Sequence, residues 1–309
     1  MSITKVHFKS RGIVVVGELH RPAESAPDRK RAAIVVGHPG GGVKEQTAGL
    51  HAKKLAEAGF YALAFDAAYQ GESEGEPRGL EDPTQRAEDV RAAVTYLSAV
   101  DVINRERIGA LGICASGGYV SFAAQTDVRI KAVATVSAVD VGELFTERFK
   151  GTGIEVDAAG LYKLLKAAGD ARYDEATGKE PPTLTFVPDE PKQVPGGAPT
   201  LYREGTDYYR TPRGQHPRST NRWLVRSADL MANYRSYTFN HLISPRPYLA
   251  IAGSKADTRY FSEDAIEKAR SPKELFIVEG KTHIGLYDDL SGHIDKLIDF
   301  FAKNLTQES

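Results

Sequence analysis

Short apolar segments alternate with segments of helical spacing through most of the 309 residues. The apolar segments that have the length and composition of buried strands are residues 32–36, 61–65, 107–111, 130–136, 248–252 and 274–278. Helices are predicted between and after them, at residues 46–58, 84–98, 117–125, 262–269 and 291–304. Residues 6–8 and 13–19 are predicted to open the chain as an antiparallel hairpin. The pattern therefore predicts an α/β protein whose mostly parallel, eight-stranded sheet is flanked by helices.

The alternation stops after the sixth predicted strand, and about a hundred residues richer in Pro, Gly, Tyr and Arg follow. We expect this stretch to form a cap at residues 139–244, inserted between two parts of a core at residues 1–138 and 245–309. Within the cap, residues 161–166 and 228–234 have helical spacing. Residues 181–214 are rich in proline, and we expect a loop there rather than regular structure.

The chain has one cysteine, Cys114, and it lies between a predicted strand and a predicted helix. Gly112 and Ser116, two places to either side, are small, as the tight turn of a nucleophile elbow requires. A thiol in such a turn lies at a helix N-terminus, where the helix dipole and free N–H groups favour the thiolate. Cys114 is therefore the predicted nucleophile. The alternatives are Ser116 as nucleophile, with Cys114 and Gly118 flanking it, and an inert buried thiol.

A thiol nucleophile needs a base and an acid that orients the base, and hydrolase folds supply both late in the chain, acid before base. Asp257 follows the predicted strand at 248–252, and His283 follows the predicted strand at 274–278. Open α/β sheets build their sites at the carboxyl ends of such strands. The sequence thus predicts a triad of Cys114, His283 and Asp257. A helix N-cap is the alternative role for Asp257.

The developing oxyanion also needs N–H donors, and one is expected from the amide of Ala115, next to the nucleophile. The second is expected from the glycines that follow His38 and Pro39. Proline has no N–H, so the donor is Gly40 or, failing that, Gly41. A phosphate-binding loop is the alternative, but the Lys-Ser/Thr ending of a P-loop is missing. No cluster of His, Asp and Glu has metal-ligand spacing, so no metal is expected.

Aromatic residues of the cap and of the loops near the elbow are predicted to line an apolar acyl pocket, or else to form the cap's own small core. The candidates for substrate contact are Tyr69, Tyr119, Tyr208 and Trp223, and Tyr202, Tyr209, Tyr237 and Phe239 belong to the same aromatic set. The arginines of the cap are either contacts for an anionic carrier group or scattered surface charges; they are Arg203, Arg210, Arg213 and Arg222.

The charge balance limits the partners. A net charge of −1 and a pI near 6.7, without basic runs, predict no nucleic-acid partner. No apolar stretch of membrane-spanning length occurs, and the first residues lack the apolar segment of a signal peptide. With a single cysteine and no internal disulfide, we expect a cytoplasmic protein, and a homodimer is left open.

These motifs together resemble α/β-hydrolases related to dienelactone hydrolase that carry Cys at the elbow. The resemblance is closest to a bacterial and fungal subfamily that includes polyketide thiohydrolases and polyketide acyltransferases. It rests on residues 38–46, 64–73, 112–119, 208–214, 254–261 and 282–287.

The resemblance implies an α/β-hydrolase fold with a cap after strand 6, the triad named above, and no organic cofactor or metal. It also implies that an ester or thioester of a small-molecule or carrier-bound acyl group is hydrolysed. Acyl transfer to an alcohol and a catalytically silent ligand-binding fold are the alternatives.

Overall fold

The structure is a computed structural model, and it describes residues 1–147, 149 and 157–307. The strands are β1 (Ser2–Ser10), β2 (Ile13–Arg21), β3 (Ala33–Gly37), β4 (Tyr61–Phe65), β5 (Ile108–Ile113), β6 (Ile130–Val136), β7 (Thr183–Leu184), β8 (Trp223–Leu224), β9 (Tyr248–Gly253) and β10 (Lys273–Val278). The helices are α1 (Thr47–Glu57), α2 (Pro83–Ser98), α3 (Ala115–Thr126), α4 (Val141–Glu147), α5 (Ala158–Ala176), α6 (Thr200–Arg210), α7 (Ser227–Ala232), α8 (Arg259–Lys268), α9 (Gly285–Asp288) and α10 (Ile294–Thr306). Single 3₁₀ turns lie at Pro191–Gln193, Asn240–Leu242 and Leu290–Gly292.

Eight of these strands form one sheet, in the order β1-β2-β4-β3-β5-β6-β9-β10. β2 is antiparallel to both β1 and β4, and the remaining pairs are parallel. This is the strand order of an α/β-hydrolase, so the predicted fold class is confirmed. The predicted core strands lie within a few residues of the observed ones, and all of them except the edge strand β10 are apolar runs that are largely buried on both faces.

Helices cover both faces of the sheet. α1 and α10 contact each other and the central strands, and α2 and α3 form a second pair that also contacts them. The sheet positions the site because β5, β9 and β10 are parallel and their carboxyl ends lie at one edge. The loops that follow these three strands carry the predicted site residues.

The region between β6 and β9 holds α4 to α7 and the two-stranded ribbon of β7 and β8. α5 includes the segment 161–166 that was predicted to be helical, and α7 covers residues 228–232 of the predicted segment 228–234. The expectation of a loop throughout residues 181–214 is wrong in its last third, where α6 spans Thr200–Arg210. Pro199 ends the run of prolines and lies at the N-cap, so the helix that follows keeps all its N–H donors. Leu201, Tyr208 and Tyr209 form its buried side.

Among the helices that the structure describes, none combines the length and the apolar character needed to cross a bilayer.

Candidate active site

Cys114 joins β5 to α3 in a strained turn. Its backbone has φ 56° and ψ −121°, a region that residues other than glycine rarely adopt. The turn is tight enough to exclude a side chain at Gly112, where a Cβ would lie 2.1 Å from the carbonyl oxygen of Ser116. These are the properties expected of a nucleophile elbow.

The sulfur of Cys114 is surrounded by hydrogen-bond donors. The groups that act on it are the backbone N–H groups of Gly40 and Ala115 and the hydroxyl of Tyr287. Burial raises the pKa of the thiol, and these donors, together with the charge of Arg86, oppose that rise. Two of the three predicted oxyanion donors are thus brought to the sulfur. Gly41 instead turns away, with φ 71°, and its carbonyl accepts a hydrogen bond from Ser219.

Ser116, the alternative nucleophile, is tied to the loop after β3. Its hydroxyl donates to the carbonyl oxygen of His38 at 2.6 Å and accepts from Arg86 Nη2 at 3.3 Å. Its backbone is the second residue of α3, inside regular helix. The hydroxyl therefore holds the loop after β3 that carries the predicted oxyanion donors, called the oxyanion loop below, and the strained turn is at Cys114 and not at Ser116.

Buried charged side chains contact the loop after β3. Arg86 donates to the carbonyl oxygen of His38 at 2.8 Å and lies 3.5 Å from the carboxylate of Glu81. Glu81 in turn accepts from the hydroxyl of Tyr119 at 2.7 Å, and none of these side chains is exposed. Neither Arg86, in α2, nor Glu81, just before it, was predicted, because charged residues are usually solvated. Their burial appears only once α2 is packed.

His283 lies beyond β10 and is fully buried. Its Nδ1 is 2.6 Å from Thr258 Oγ1, and its Nε2 is 3.1 Å from the hydroxyl of Tyr287. Burial lowers the pKa of His283 to about 3, so the imidazole is neutral at pH 7. Its backbone is fixed by Ser137, whose hydroxyl donates to the His283 carbonyl at 2.9 Å.

Asp257 does not contact His283 in this conformation, and the predicted triad is not assembled. One carboxylate oxygen, Oδ2, accepts from the backbone N–H of Leu201 at 2.9 Å, in the first turn of α6. The other, Oδ1, is buried without a hydrogen-bond partner among the described residues. The first N–H groups of a helix have no partner within it, so they attract a carboxylate. Burial raises the pKa of Asp257, and the hydrogen bond from Leu201 opposes that rise.

Thr258 and Tyr287 were not predicted. Thr258 follows Asp257 directly, at the start of α8, and occupies the place beside Nδ1 that was assigned to the carboxylate. Tyr287 is four residues after His283, a spacing that places two side chains on one side of a helical turn. That spacing was the only signal for Tyr287 in the sequence.

A cavity of about 190 Å³ opens above the thiol. The described residues that line it are mostly apolar, none of them is charged, and they come from the turn at Cys114, the loop after β3 and the region between β6 and β9: Gly40, Cys114, Ala115, Val139, Val141, Leu144, Phe145, Leu164, Leu184, Thr185, Phe186, Leu201, Tyr202, Trp223 and Met231. Trp223 packs so closely over Gly40 that a Cβ there would lie 3.0 Å from the indole ring. Of the four aromatic residues predicted to contact substrate, Trp223 lies on the wall.

The other three lie elsewhere. The hydroxyl of Tyr119 points to Glu81 beneath the loop, and the ring of Tyr208 packs edge-on against that of Tyr287. Tyr69 lies in the loop after β4 with φ 69°. Of the wider aromatic set, Tyr202 lines the cavity, Tyr209 and Tyr237 are buried outside the lining, and Phe239 is exposed.

The cap arginines are engaged by nearby groups of the protein. Arg213 makes a two-point contact with Asp288, at 2.7 and 3.0 Å, and also contacts Asp207. Arg210 and Arg222 both contact Asp189, and Arg203 donates to Thr200. None of the four lines the cavity. Each has a partner within the protein, and contact with an anionic carrier group stays a prediction.

Three carboxylates lie close enough together to share a cation, namely those of Glu45, Asp66 and Glu72. The ammonium group of Lys44 already occupies this position, at 2.6 Å from Glu45, 3.0 Å from Asp66 and 2.6 Å from Glu72. Its pKa is raised well above the ordinary value by these carboxylates, against the effect of burial. The cluster is an internal ion pair and not a metal site.

Comparison with known proteins shows the family and the fold of the chain. The family model described as "Dienelactone hydrolase family" matches residues 17–140. The chain is 39% identical to the uncharacterized protein YcjY of Escherichia coli K12 over 93% of both chains. The crystal structure of the hypothetical protein PA2218 of Pseudomonas aeruginosa is 39% identical, with a TM-score of 0.90 over 98% of this chain and 94% of that one.

One more distant relative has a name that states an activity. The polyketide transferase grgF of Penicillium sp. is 27% identical over 82% of both chains. Its crystal structure has the same fold, with a TM-score of 0.81 and 24% identity over 99% of this chain and all of that one. The chain therefore belongs to the dienelactone hydrolase family of α/β-hydrolases.

Proposed function

We propose that the protein hydrolyses an ester or thioester through a covalent acyl-enzyme on Cys114. The main support for this proposal is the position of the Cys114 sulfur. The sulfur, held in a strained turn at the start of α3, lies beside two backbone N–H groups and also lines an apolar cavity. A carbonyl carbon that approached the sulfur from the cavity would have its oxygen near the N–H groups of Gly40 and Ala115.

The reaction divides into two steps. In the first, the thiol proton moves to His283, the S–C bond forms, and the tetrahedral oxyanion is held by the two N–H groups. The C–O or C–S bond to the leaving group then breaks, and the leaving group takes the proton from the imidazolium. In the second step, water gives a proton to His283, attacks the acyl-enzyme, and releases the acid and the free thiol.

The site favours activated carbonyl groups. A thiolate is a better leaving group than an amine, so attack on an amide returns to substrate unless the amine is protonated first. Thioesters, lactones and activated esters have leaving groups that compete with the thiolate. The described residues of the cavity wall carry no charged side chain, so the acyl group we propose is apolar and uncharged close to its carbonyl.

Acyl transfer to an alcohol is the second candidate. Two observations favour it: the name of the Penicillium relative, a polyketide transferase, and the cap residues that cover the thiol. A covered acyl-enzyme meets less water, so a bound alcohol competes better for it.

For Asp257 we propose that it orients His283 once its bond to Leu201 has opened. It is adjacent in the chain to Thr258, which contacts Nδ1. A carboxylate at that nitrogen would fix the tautomer and stabilise the imidazolium. In the conformation described, Thr258 contacts Nδ1 in its place.

The test is turnover of a series of acyl thioesters and p-nitrophenyl esters by the wild type, Cys114→Ala and Ser116→Ala. We expect Cys114→Ala to lose activity by about 1,000-fold or more. Ser116→Ala should keep measurable turnover because its hydroxyl only ties the oxyanion loop. Adding alcohols to the wild type separates hydrolysis from transfer by the products. Turnover that survives in Cys114→Ala but not in Ser116→Ala would reject the proposal.

A further inference from the structure

The hydroxyl of Tyr287 lies between the thiol and the imidazole, and we propose that it relays the proton from Cys114 to His283. This inference rests on the proposed function, since it concerns the same thiol and the same base. It makes Tyr287 a catalytic residue, because its oxygen contacts both reacting side chains.

Tyr287 interacts with both the Cys114 thiol and the His283 imidazole. His283 Nε2 is 3.1 Å from the Tyr287 hydroxyl, and the interaction of that hydroxyl with the Cys114 thiol lowers the pKa of the thiol. The second ring nitrogen is taken by Thr258 at 2.6 Å. Among the described residues, the sulfur is not a hydrogen-bond partner of the imidazole. A direct transfer from sulfur to nitrogen would therefore require movement, whereas the path through oxygen is already in place.

The protein holds this hydroxyl in position and keeps it neutral. The Tyr287 ring packs edge-on against Tyr208 and Tyr209, at centroid distances of 5.3 and 6.4 Å. Its carbonyl oxygen accepts from Thr47 Oγ1 at 2.8 Å, which fixes the backbone. Burial raises the pKa of Tyr287 well above its ordinary value. The phenol is thus suited to pass a proton on and unsuited to keep a negative charge.

The relay moves two protons, and the total number of protons on the three side chains does not change. With the Nδ1 proton of His283 donated to Thr258, Nε2 accepts the hydroxyl proton of Tyr287 as the Tyr287 oxygen accepts the thiol proton. The products are a Cys114 thiolate, a neutral Tyr287 and a His283 imidazolium. The thiolate then attacks the carbonyl carbon. The imidazolium proton then passes from Nε2 to the leaving group, either directly or through the Tyr287 hydroxyl, and leaves His283 neutral.

Tyr287→Phe tests the relay because it removes the hydroxyl and keeps the ring. Tyr208→Phe is the matched control, since it removes a buried hydroxyl from the same aromatic cluster and does not line the cavity. The readouts are the rate of the first acylation turnover, KM, and the pH dependence of alkylation by iodoacetamide. Alkylation reports on one site, because Cys114 is the only cysteine.

We expect Tyr287→Phe to slow acylation by about 100-fold or more, the range of general acid–base catalysis, with KM nearly unchanged. The apparent pKa of the thiol should rise, because a hydrogen bond that lowers it is lost. Tyr208→Phe should acylate at close to the wild-type rate. Acylation by Tyr287→Phe within about twofold of wild type would overturn the relay, and an effect on KM alone would also do so.

The failure of the relay is distinguishable from failure of the proposed function. If Cys114→Ala remains active, the acyl-enzyme itself is wrong. If Cys114 is acylated normally in Tyr287→Phe, only the relay is wrong. Should Tyr287→Phe not fold by circular dichroism, site-specific replacement of Tyr287 by a difluorotyrosine keeps the ring and the hydroxyl. The relay predicts that acylation then changes with phenol acidity, and an unchanged pH–rate profile would overturn it.

Discussion

At the residue scale, burial decides the protonation of the site. The pKa of the Cys114 thiol is raised and that of His283 is lowered to about 3, both chiefly by burial. At neutral pH the resting site is therefore an uncharged thiol and an uncharged imidazole. Charge separation is expected only during reaction, where the donors around the sulfur are already oriented.

The contrast between Asp257 and Thr258 gives a prediction at this scale. We expect Thr258→Val to slow acylation by about fivefold to tenfold, the effect of losing one hydrogen bond to Nδ1. Asp257→Asn should slow it by about 100-fold or more if the carboxylate reaches His283 during the reaction. Pre-steady-state acylation rates of the two variants, compared under conditions where both are equally stable, test these two expectations. Wild-type rates in Asp257→Asn would remove Asp257 from the catalytic machinery.

The sequence allowed the positions of Cys114 and His283 to be predicted because their signals are local. A small-residue turn between a strand and a helix marks the first, and a strand's carboxyl end marks the second. The partners of His283 could not be predicted, because Thr258 and Asp257 are adjacent in sequence. Only the packing of α6 against the loop after β9 determines which of the two faces the imidazole.

At the element scale, strands were predicted better than the cap. The central strands are buried on both faces and appear as continuous apolar runs, whereas α6 follows a proline-rich stretch that favours a loop. Its helical residues become buried through contact with α9 and the core, for example where Tyr208 meets Tyr287. Such contacts cannot be read from a local pattern.

The position of α5 over the cavity gives a second prediction. Leu164 lines the cavity and its neighbour Leu165 does not. Leu164→Trp should therefore lower kcat/KM for long acyl chains by about tenfold or more and leave acetyl substrates nearly unaffected, because the indole fills space that the chain needs. Leu165→Trp is the matched control, with an unchanged profile. A uniform loss across all chain lengths in Leu164→Trp would mean that the cavity does not hold the acyl chain.

At the scale of the whole molecule, buried histidines link stability to pH. Burial lowers the pKa of five histidines, namely His20, His38, His51, His283 and His293. The pKa of His51 is lowered to about 4, and its Nε2 lies 3.1 Å from that of His293, between α1 and the start of α10. These rings are neutral in the folded protein and are protonated in the unfolded chain below about pH 6.5.

The free energy of unfolding should therefore fall as the pH is lowered from about 6.5 towards 4, since the unfolded chain binds protons that the folded protein does not. Urea unfolding at several pH values measures this dependence. His51→Gln should make it shallower by removing one titrating group of the pair. His7→Gln, at an exposed histidine of β1, is the control and should leave it unchanged. Stability that stays constant over this range would contradict the assignment of neutral buried rings.

The most direct test of the account is the mass of the protein during turnover. Wild-type protein is mixed with an acyl thioester, quenched in acid, digested and examined by mass spectrometry. We predict an added acyl group on the peptide that contains Cys114 and Ser116, assigned to Cys114 by fragmentation and appearing before product accumulates. Product formation with no acyl group on that peptide at any time, or an acyl group on Ser116 instead, would contradict it.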